Sequence, residues 1–151
     1  PRFAGWWNHN KETRFNMRQP FDVMQGAEGW QLSNPPILSM AAIRASLDLF
    51  DEVGMDALRE KSEKLTGYFE FLINEIDSDG ISIITPKNPK ERGCQLSIQV
   101  KNADKSLHKK LTQNNIITDW REPDVIRCAP VPMYTSYEDV YRMVTILKGL
   151  L

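Results

Sequence analysis

A serine and an asparagine stand directly before two prolines at the start of a predicted helix, in the stretch GWQLSNPPILSM. Pro35 restricts Asn34 to extended backbone, which is the conformation that a helix N-cap needs. Pro35 and Pro36 also remove two of the four free backbone N–H groups with which a helix start could bind an anion. A ligand bound here would therefore contact the Ser33 hydroxyl and the Asn34 amide themselves. Spacing alone favours the other interpretation, a structural cap.

Arg127 is the second residue that could do chemistry, because it interrupts the apolar, strand-like stretch DVIRC. A charged side chain in such a stretch is costly unless it is paired. The following residues, APVP, cannot continue a central strand because proline lacks an N–H donor. A guanidinium at a strand end suits two-pronged binding of a carboxylate. An ion pair with an Asp or Glu of the same domain is the alternative, and spacing alone favours it.

The first 34 residues are aromatic and irregular, and they include three of the four tryptophans. They show no sustained helical or strand period, and a segment of this kind usually lies against another surface. His9 stands among tryptophans in the stretch GWWNHN. For His9 the pattern favours aromatic packing with a local hydrogen bond over contact with a ligand.

Hydrophobic periodicity predicts the elements that must position these residues. A helix begins at Pro35 and ends at Gly54, and a second helix begins near Asp56. The period then changes to two over 81–85 and 94–100, which predicts strands. The apolar face of the first helix consists of Met40, Ile43, Leu47 and Phe50, and that of the second strand consists of Cys94, Leu96, Ile98 and Val100.

The remaining elements are a short helix over 104–114, strands near 116–120 and 125–129, and a last helix. Ser136 and Asp139 have capping-box spacing at the start of that helix. We expect it to bury Tyr137, Val140, Val144 and Leu147. The order ααββαββα predicts an α+β fold, with a small, mostly antiparallel sheet and helices on one face. We expect an irregular arm over 1–34 and an α+β domain over 35–151.

Composition narrows the class of protein. The chain has 151 residues, a net charge of −1 and no apolar run of the roughly 20 residues that a bilayer requires. A basic field for nucleic acid is absent, and we expect neither nucleic-acid nor membrane binding. Cys94 and Cys128 lack ligand spacing with the histidines, which predicts two reduced, buried thiols, no metal site and a cytoplasmic location. The chain begins at Pro1 rather than Met, and we expect a piece of a longer protein.

Four stretches, AGWWNHNKETRFNM, GAEGWQLSNPPI, ERGCQLSIQV and IRCAPVPMYTSYEDVY, together resemble the C-terminal part of kynureninase. The resemblance runs in order over essentially the whole chain. It implies the small domain of a fold-type-I enzyme that uses pyridoxal 5′-phosphate and works as a homodimer. It also implies hydrolysis of L-kynurenine or 3-hydroxykynurenine to L-alanine and anthranilate or its 3-hydroxy form.

The resemblance also implies roles for individual residues. In that family the Trp of the AGW motif and the Asn of SNPP contact the cofactor from the partner subunit, which corresponds to Trp6 and Asn34. The Arg of the IRxAPVP stretch holds the substrate α-carboxylate, which corresponds to Arg127. Ser33 and His9 match positions that line the aromatic end of the substrate. The Schiff-base lysine precedes the AGW motif, so no catalytic residue is implied within this chain, and we expect the isolated chain to be inactive.

Two other interpretations stay open. One is the small domain of another fold-type-I enzyme, an aminotransferase or a cysteine desulfurase. A desulfurase needs a cysteine in a catalytic loop, and neither Cys94 nor Cys128 stands in such a context. The other is a non-catalytic α+β interaction module whose tryptophan-rich segment docks on a partner.

Overall fold

The computed structural model describes residues 2–16 and 20–151, so Met17 at the end of the first family-like stretch lies outside the described part. The chain divides into two compact units, Pro1–Glu52 and Val53–Leu151. Most of the first helix therefore groups with the residues before it, whereas the boundary expected from the sequence lies after residue 34. No helix in the described ranges is both long and apolar enough to cross a bilayer.

Over residues 2–16 and 20–36 the first unit is irregular, as predicted. The regular features described there, before α1 (Ile37–Val53), are two short 3-10 turns and an isolated bridge between His9 and Val23. The Pro36 carbonyl accepts the first helical hydrogen bond, from the Met40 N–H at 2.9 Å. The expectation that Asn34 caps this helix is therefore wrong. A proline disfavours helical backbone at the residue before it. Pro35 has this effect on Asn34 and Pro36 has it on Pro35, so the helix begins only after the second proline.

Helix α1 has the predicted apolar stripe, but the stripe is not buried. Met40, Ile43 and Leu47 are each more than half exposed. None of the α1 residues is buried in the described structure. The helix ends as predicted at Gly54, whose φ of 82° is a left-handed conformation that glycine adopts without steric cost.

The second unit contains the predicted sequence of elements. They are α2 (Met55–Asn74), β1 (Ile81–Ile83), β2 (Leu96–Val100), α3 (Lys105–Gln113), β3 (Asp119–Arg121), β4 (Val125–Cys128) and α4 (Tyr137–Leu150). The strands form one antiparallel sheet in the order β1-β2-β4-β3. The predicted α+β class is confirmed.

One face of the sheet forms the hydrophobic core. Burial alternates along β2 and β4, as expected for strands covered on one side. Ile98 and Ile126 are register partners and are fully buried. The same core takes in Leu65 of α2 and Leu147 of α4. The outward residues of β4 consequently lie on the opposite, polar face of the sheet.

Three details of the sequence prediction are wrong. Cys94 precedes β2 and is only partly buried, because the strand begins at Leu96. Ile117, predicted within a strand, is 90% exposed, since α3 is followed by a left-handed turn at Asn115 and β3 begins only at Asp119. Tyr137 is the first residue of α4 and stays 44% exposed. Its ring packs edge-on against that of Tyr68, with 5.6 Å between the centroids.

The capping box of α4 is formed as predicted. The Ser136 Oγ accepts the Asp139 N–H at 3.1 Å, and the Asp139 carboxylate accepts the Ser136 N–H at 2.8 Å. The hydrogen bonds from Ser136 hold the pKa of Asp139 below its usual value. The carboxylate is therefore ionised at neutral pH, and its contribution declines as the pH falls through that lowered pKa.

We predict that Ser136→Ala lowers the free energy of unfolding by about 1 kcal/mol, because an N-cap acceptor is lost. Thr145→Ala is the matched control: the exposed Thr145 bonds only a carbonyl of its own helix, so little change is expected. Urea unfolding followed by far-UV circular dichroism measures both. Equal stability of the two variants would contradict the role of the box.

Candidate functional site

Two sequence segments that are far apart in the chain lie side by side at Gly5. A Cβ atom on Gly5 would stand 2.1 Å from the Leu32 carbonyl oxygen, far inside van der Waals contact. Only glycine permits so close an approach of two backbones. The AGWW segment and the LSN segment are consequently held next to each other.

Asn8 holds the turn that contains Gly5. Its side chain is buried, at 1% exposure, and both ends of its amide are hydrogen-bonded. The Oδ1 atom accepts the Gly5 N–H at 2.8 Å, and the Nδ2 group donates to the Phe3 carbonyl at 2.9 Å. The Asn8 carbonyl also accepts the Met24 N–H at 2.9 Å. Sequence analysis missed this residue, because nothing in an irregular segment marks one asparagine as buried.

The Trp7 indole reaches Asn34 across the contact between the two segments. Its Nε1–H donates to the Asn34 Oδ1 at 2.5 Å. The Arg14 guanidinium lies 5.4 Å from the centroid of the Trp7 ring, within the range of a cation–π contact. Trp7 was not among the predicted site residues, since a contact over 27 positions leaves no periodic signal.

Trp6 and Ser33 precede Trp7 and Asn34 directly in the sequence, and both are exposed. The Trp6 ring is 51% exposed and packs against Phe15, with 5.2 Å between the ring centroids. No described residue accepts a hydrogen bond from the Trp6 indole. The Ser33 carbonyl accepts a hydrogen bond from the side-chain amide of Gln31 at 3.1 Å. The Ser33 hydroxyl has no hydrogen-bond partner within residues 2–16 and 20–151.

His9 is packed as the sequence pattern favoured. The ring is 8% exposed and stacks on Phe21, with 5.2 Å between the centroids. The His9 Nε2 accepts the Asp22 N–H at 3.3 Å. That nitrogen must carry a lone pair to accept, so this bond requires the neutral ring with its proton on Nδ1.

Arg127 lies on the polar face of the sheet, in the second unit. Asp119 is its register partner on β3, and the Arg127 Nε donates to the Asp119 Oδ2 at 2.9 Å. The Arg127 Nη2 donates to the same oxygen, and the Arg121 Nη2 forms an ion pair with that oxygen at 2.9 Å. The ion pair within the domain, favoured by spacing, is confirmed. Of the five N–H groups of Arg127, three remain for another acceptor.

The Arg127 side chain lowers the pKa of Asp119, mainly through its hydrogen bond and with a further contribution from the charge of Arg121. Asp119 is therefore ionised at neutral pH. The pair weakens only in acid, as the pH falls through the lowered pKa of Asp119. Arg127 is thus oriented by a permanent negative charge over the ordinary physiological range.

Cys128 is not placed to act as a nucleophile. Burial raises the pKa of Cys128 to about 12, which keeps its thiol protonated at neutral pH. Both cysteines are free thiols. Over the described ranges, no group of three or more His, Cys, Asp or Glu side chains could hold a metal ion.

The kynureninase C-terminal domain family matches residues 58–147, which is more than half of the chain. The chain belongs to the kynureninase family. The kynureninase of Myxococcus xanthus is 54% identical over 149 residues, covering 99% of this chain and 35% of that protein. The kynureninase of Flavobacterium johnsoniae is 56% identical over 151 residues, covering 98% and 36%. The chain spans about a third of the length of these curated relatives.

Solved structures of more distant proteins share the fold. The cystine C–S lyase C-DES, in complex with cysteine persulfide, has a TM-score of 0.72 at 16% identity and covers 98% of this chain and 38% of its own. The apo cysteine desulfurase of Thermococcus onnurineus has a TM-score of 0.72 at 14% identity, covering 99% and 38%. These matches show that the fold of this chain recurs within larger proteins of known structure.

We predict that Gly5→Ala destabilises the first unit by about 1–3 kcal/mol, because the added methyl group collides with backbone. Gly67→Ala is the control: this glycine lies within α2 and has nothing within 4 Å of the added carbon, so a gain of about 0.5–1 kcal/mol is expected. Denaturant titration followed by tryptophan fluorescence measures the first unit, where three of four tryptophans lie, and far-UV circular dichroism in the same titration measures the helical second unit that contains Gly67. Unchanged stability of Gly5→Ala would contradict the close approach.

Proposed function

We propose that this chain is the C-terminal part of a pyridoxal-phosphate-dependent kynureninase. The complete enzyme would be a hydrolase of carbon–carbon bonds, converting L-kynurenine or 3-hydroxykynurenine to L-alanine and anthranilate or 3-hydroxyanthranilate. The observation that carries the proposal is the 54–56% identity to kynureninases over nearly the whole chain. The structure adds support, since the AGWW and SNPP segments that resemble cofactor-contacting motifs touch each other.

The donors in the first unit fit an anionic cofactor. The Trp6 indole N–H and the Asn34 Nδ2 group donate, and neither atom can accept. Such groups match phosphate or phenolate oxygens, so Trp6 and Asn34 would hold the cofactor. Pyridoxal phosphate, when bound, would supply the electron sink for chemistry at the amino-acid carbon. The lysine that carries it would come from the part of the longer protein outside this chain.

Arg127 would hold the substrate α-carboxylate through its three remaining N–H groups. Asp119 would keep the guanidinium in place, since it accepts the hydrogen bond from Nε and leaves the opposite edge of the guanidinium free to donate to a carboxylate. Ser33 would lie at the aromatic end of the substrate, where an exposed hydroxyl can meet a ring substituent. His9 would support the backbone around Asp22 rather than contact substrate, because its Nε2 is already used.

The assembled enzyme would be a homodimer in the cytoplasm. The resemblance supports the dimer, because Trp6 and Asn34 match residues that reach the partner's site. Two free cysteines support a reducing compartment.

The direct experiment expresses the intact reading frame and assays it with both kynurenines. We expect release of one L-alanine for each anthranilate formed, and no turnover by the isolated 151-residue chain. Formation of a keto acid would indicate an aminotransferase, and release of sulfur from cysteine a desulfurase. Turnover by the isolated chain would contradict the proposal that the catalytic lysine lies outside it.

We predict that Arg127→Lys in the complete enzyme raises KM for kynurenine at least tenfold, because an ammonium group cannot bind Asp119 and a carboxylate with the same planar fork. Arg121→Lys is the matched control, since Arg121 forms an ion pair with the same Asp119 oxygen but is not assigned to substrate. Steady-state kinetics decides the point. Equal KM values for the two variants would remove Arg127 from the substrate site.

A further inference from the structure

We propose that Trp7 is a positioning residue, whose indole fixes the Asn34 amide so that its Nδ2 group is presented to an anionic oxygen of the cofactor. The inference rests on the proposed function and adds to it a residue that does not itself touch the cofactor. It starts from the hydrogen bond between the Trp7 Nε1 and the Asn34 Oδ1 at 2.5 Å.

The chemistry of the indole determines which way the amide faces. An indole N–H can only donate, so the atom of Asn34 that meets it must be the carbonyl oxygen. The Nδ2 group then faces away from Trp7 with both hydrogens available. Among the residues that the structure describes, none accepts from it. A side-chain amide that could otherwise present either an acceptor or a donor is thus held as a donor.

The Trp7 ring is itself held in place. The ring is 40% exposed, and the Arg14 guanidinium lies over it, 5.4 Å from its centroid. Arg14 is anchored in turn by its backbone N–H, which donates to the Asn10 carbonyl at 2.9 Å. The contact of Gly5 with Leu32 fixes the distance between the two segments. The donor and its acceptor are therefore pre-organised before any ligand binds.

Removing only the indole N–H isolates this effect. In Trp7→Phe an aromatic ring remains, but the Asn34 amide can rotate and present its oxygen to an anion. We expect the apoenzyme to bind pyridoxal phosphate about three- to tenfold more weakly, the range expected for one lost hydrogen bond. Trp30→Phe is the matched control, since Trp30 also lies under a guanidinium, that of Arg2 at 4.1 Å, while the indole that donates to the Asn34 side chain is that of Trp7. We expect its affinity to stay within twofold of the parent.

The test uses the complete enzyme stripped of cofactor, with the dissociation constant of pyridoxal phosphate measured by absorbance titration. Trp7→Phe is made alone and in an Asn34→Ala background. If Trp7 acts through Asn34, the substitution has no further effect once the amide is gone. The same fold-loss in both backgrounds would overturn the proposal, and so would an unchanged affinity of Trp7→Phe alone.

A second comparison does not depend on Trp7 variants folding. Asn34→Asp keeps an oxygen for the Trp7 indole but presents a second, negatively charged oxygen where the Nδ2 group was. We expect it to weaken pyridoxal phosphate binding more than Asn34→Ala does. An equal or smaller loss would overturn the assignment of a donor.

Failure of the proposed function is distinguishable from failure of this inference. If the parent enzyme neither binds pyridoxal phosphate nor cleaves kynurenine, the proposed function is wrong and the role of Trp7 is wrong with it. If the parent enzyme binds pyridoxal phosphate and cleaves kynurenine, but Trp7→Phe weakens binding equally with and without the Asn34 amide, only the role of Trp7 is wrong.

Discussion

The close approach of two backbones at Gly5 and Leu32 is the constraint on which the first unit depends. Without a side chain at residue 5, the AGWW and LSN segments can come together closely enough for Trp7 to reach Asn34. Asn8, buried and bonded at both ends of its amide, keeps the turn from opening. An irregular segment thereby acquires a defined geometry without a helix or a sheet.

The element order could be predicted because each buried face repeats at the period of its helix or strand. The alternation of Leu96, Ile98 and Val100 survives in the structure because one face of the sheet is covered and the other is polar. The ends of elements were less predictable. The start of α1 depends on two prolines acting on each other, and the exposure of Tyr137 depends on its place at a helix end, and neither effect is periodic.

A site residue could be predicted from the sequence only where its side chain, left without a partner in its surroundings, would cost free energy of folding. A charge in an apolar strand requires a partner, and the ion pair of Arg127 is confirmed. Its partner, Asp119, could not be identified, because that requires the register of β3 against β4. The bond between Trp7 and Asn34 joins segments without a repeating pattern, so only three-dimensional coordinates reveal it. The family resemblance supplied roles that spacing alone did not.

The sharing of one Asp119 oxygen between two guanidinium groups gives the cluster of Asp119, Arg121 and Arg127 a net charge of +1. With Arg127 alone, the carboxylate would cancel the charge and an incoming anion would meet a neutral dipole. Arg121, which is well exposed, restores the attraction from a distance. Arg121 contacts the same Asp119 oxygen as Arg127 and also lowers the pKa of Asp119, so a change at this edge-strand residue would alter both the charge of the cluster and the carboxylate that holds Arg127.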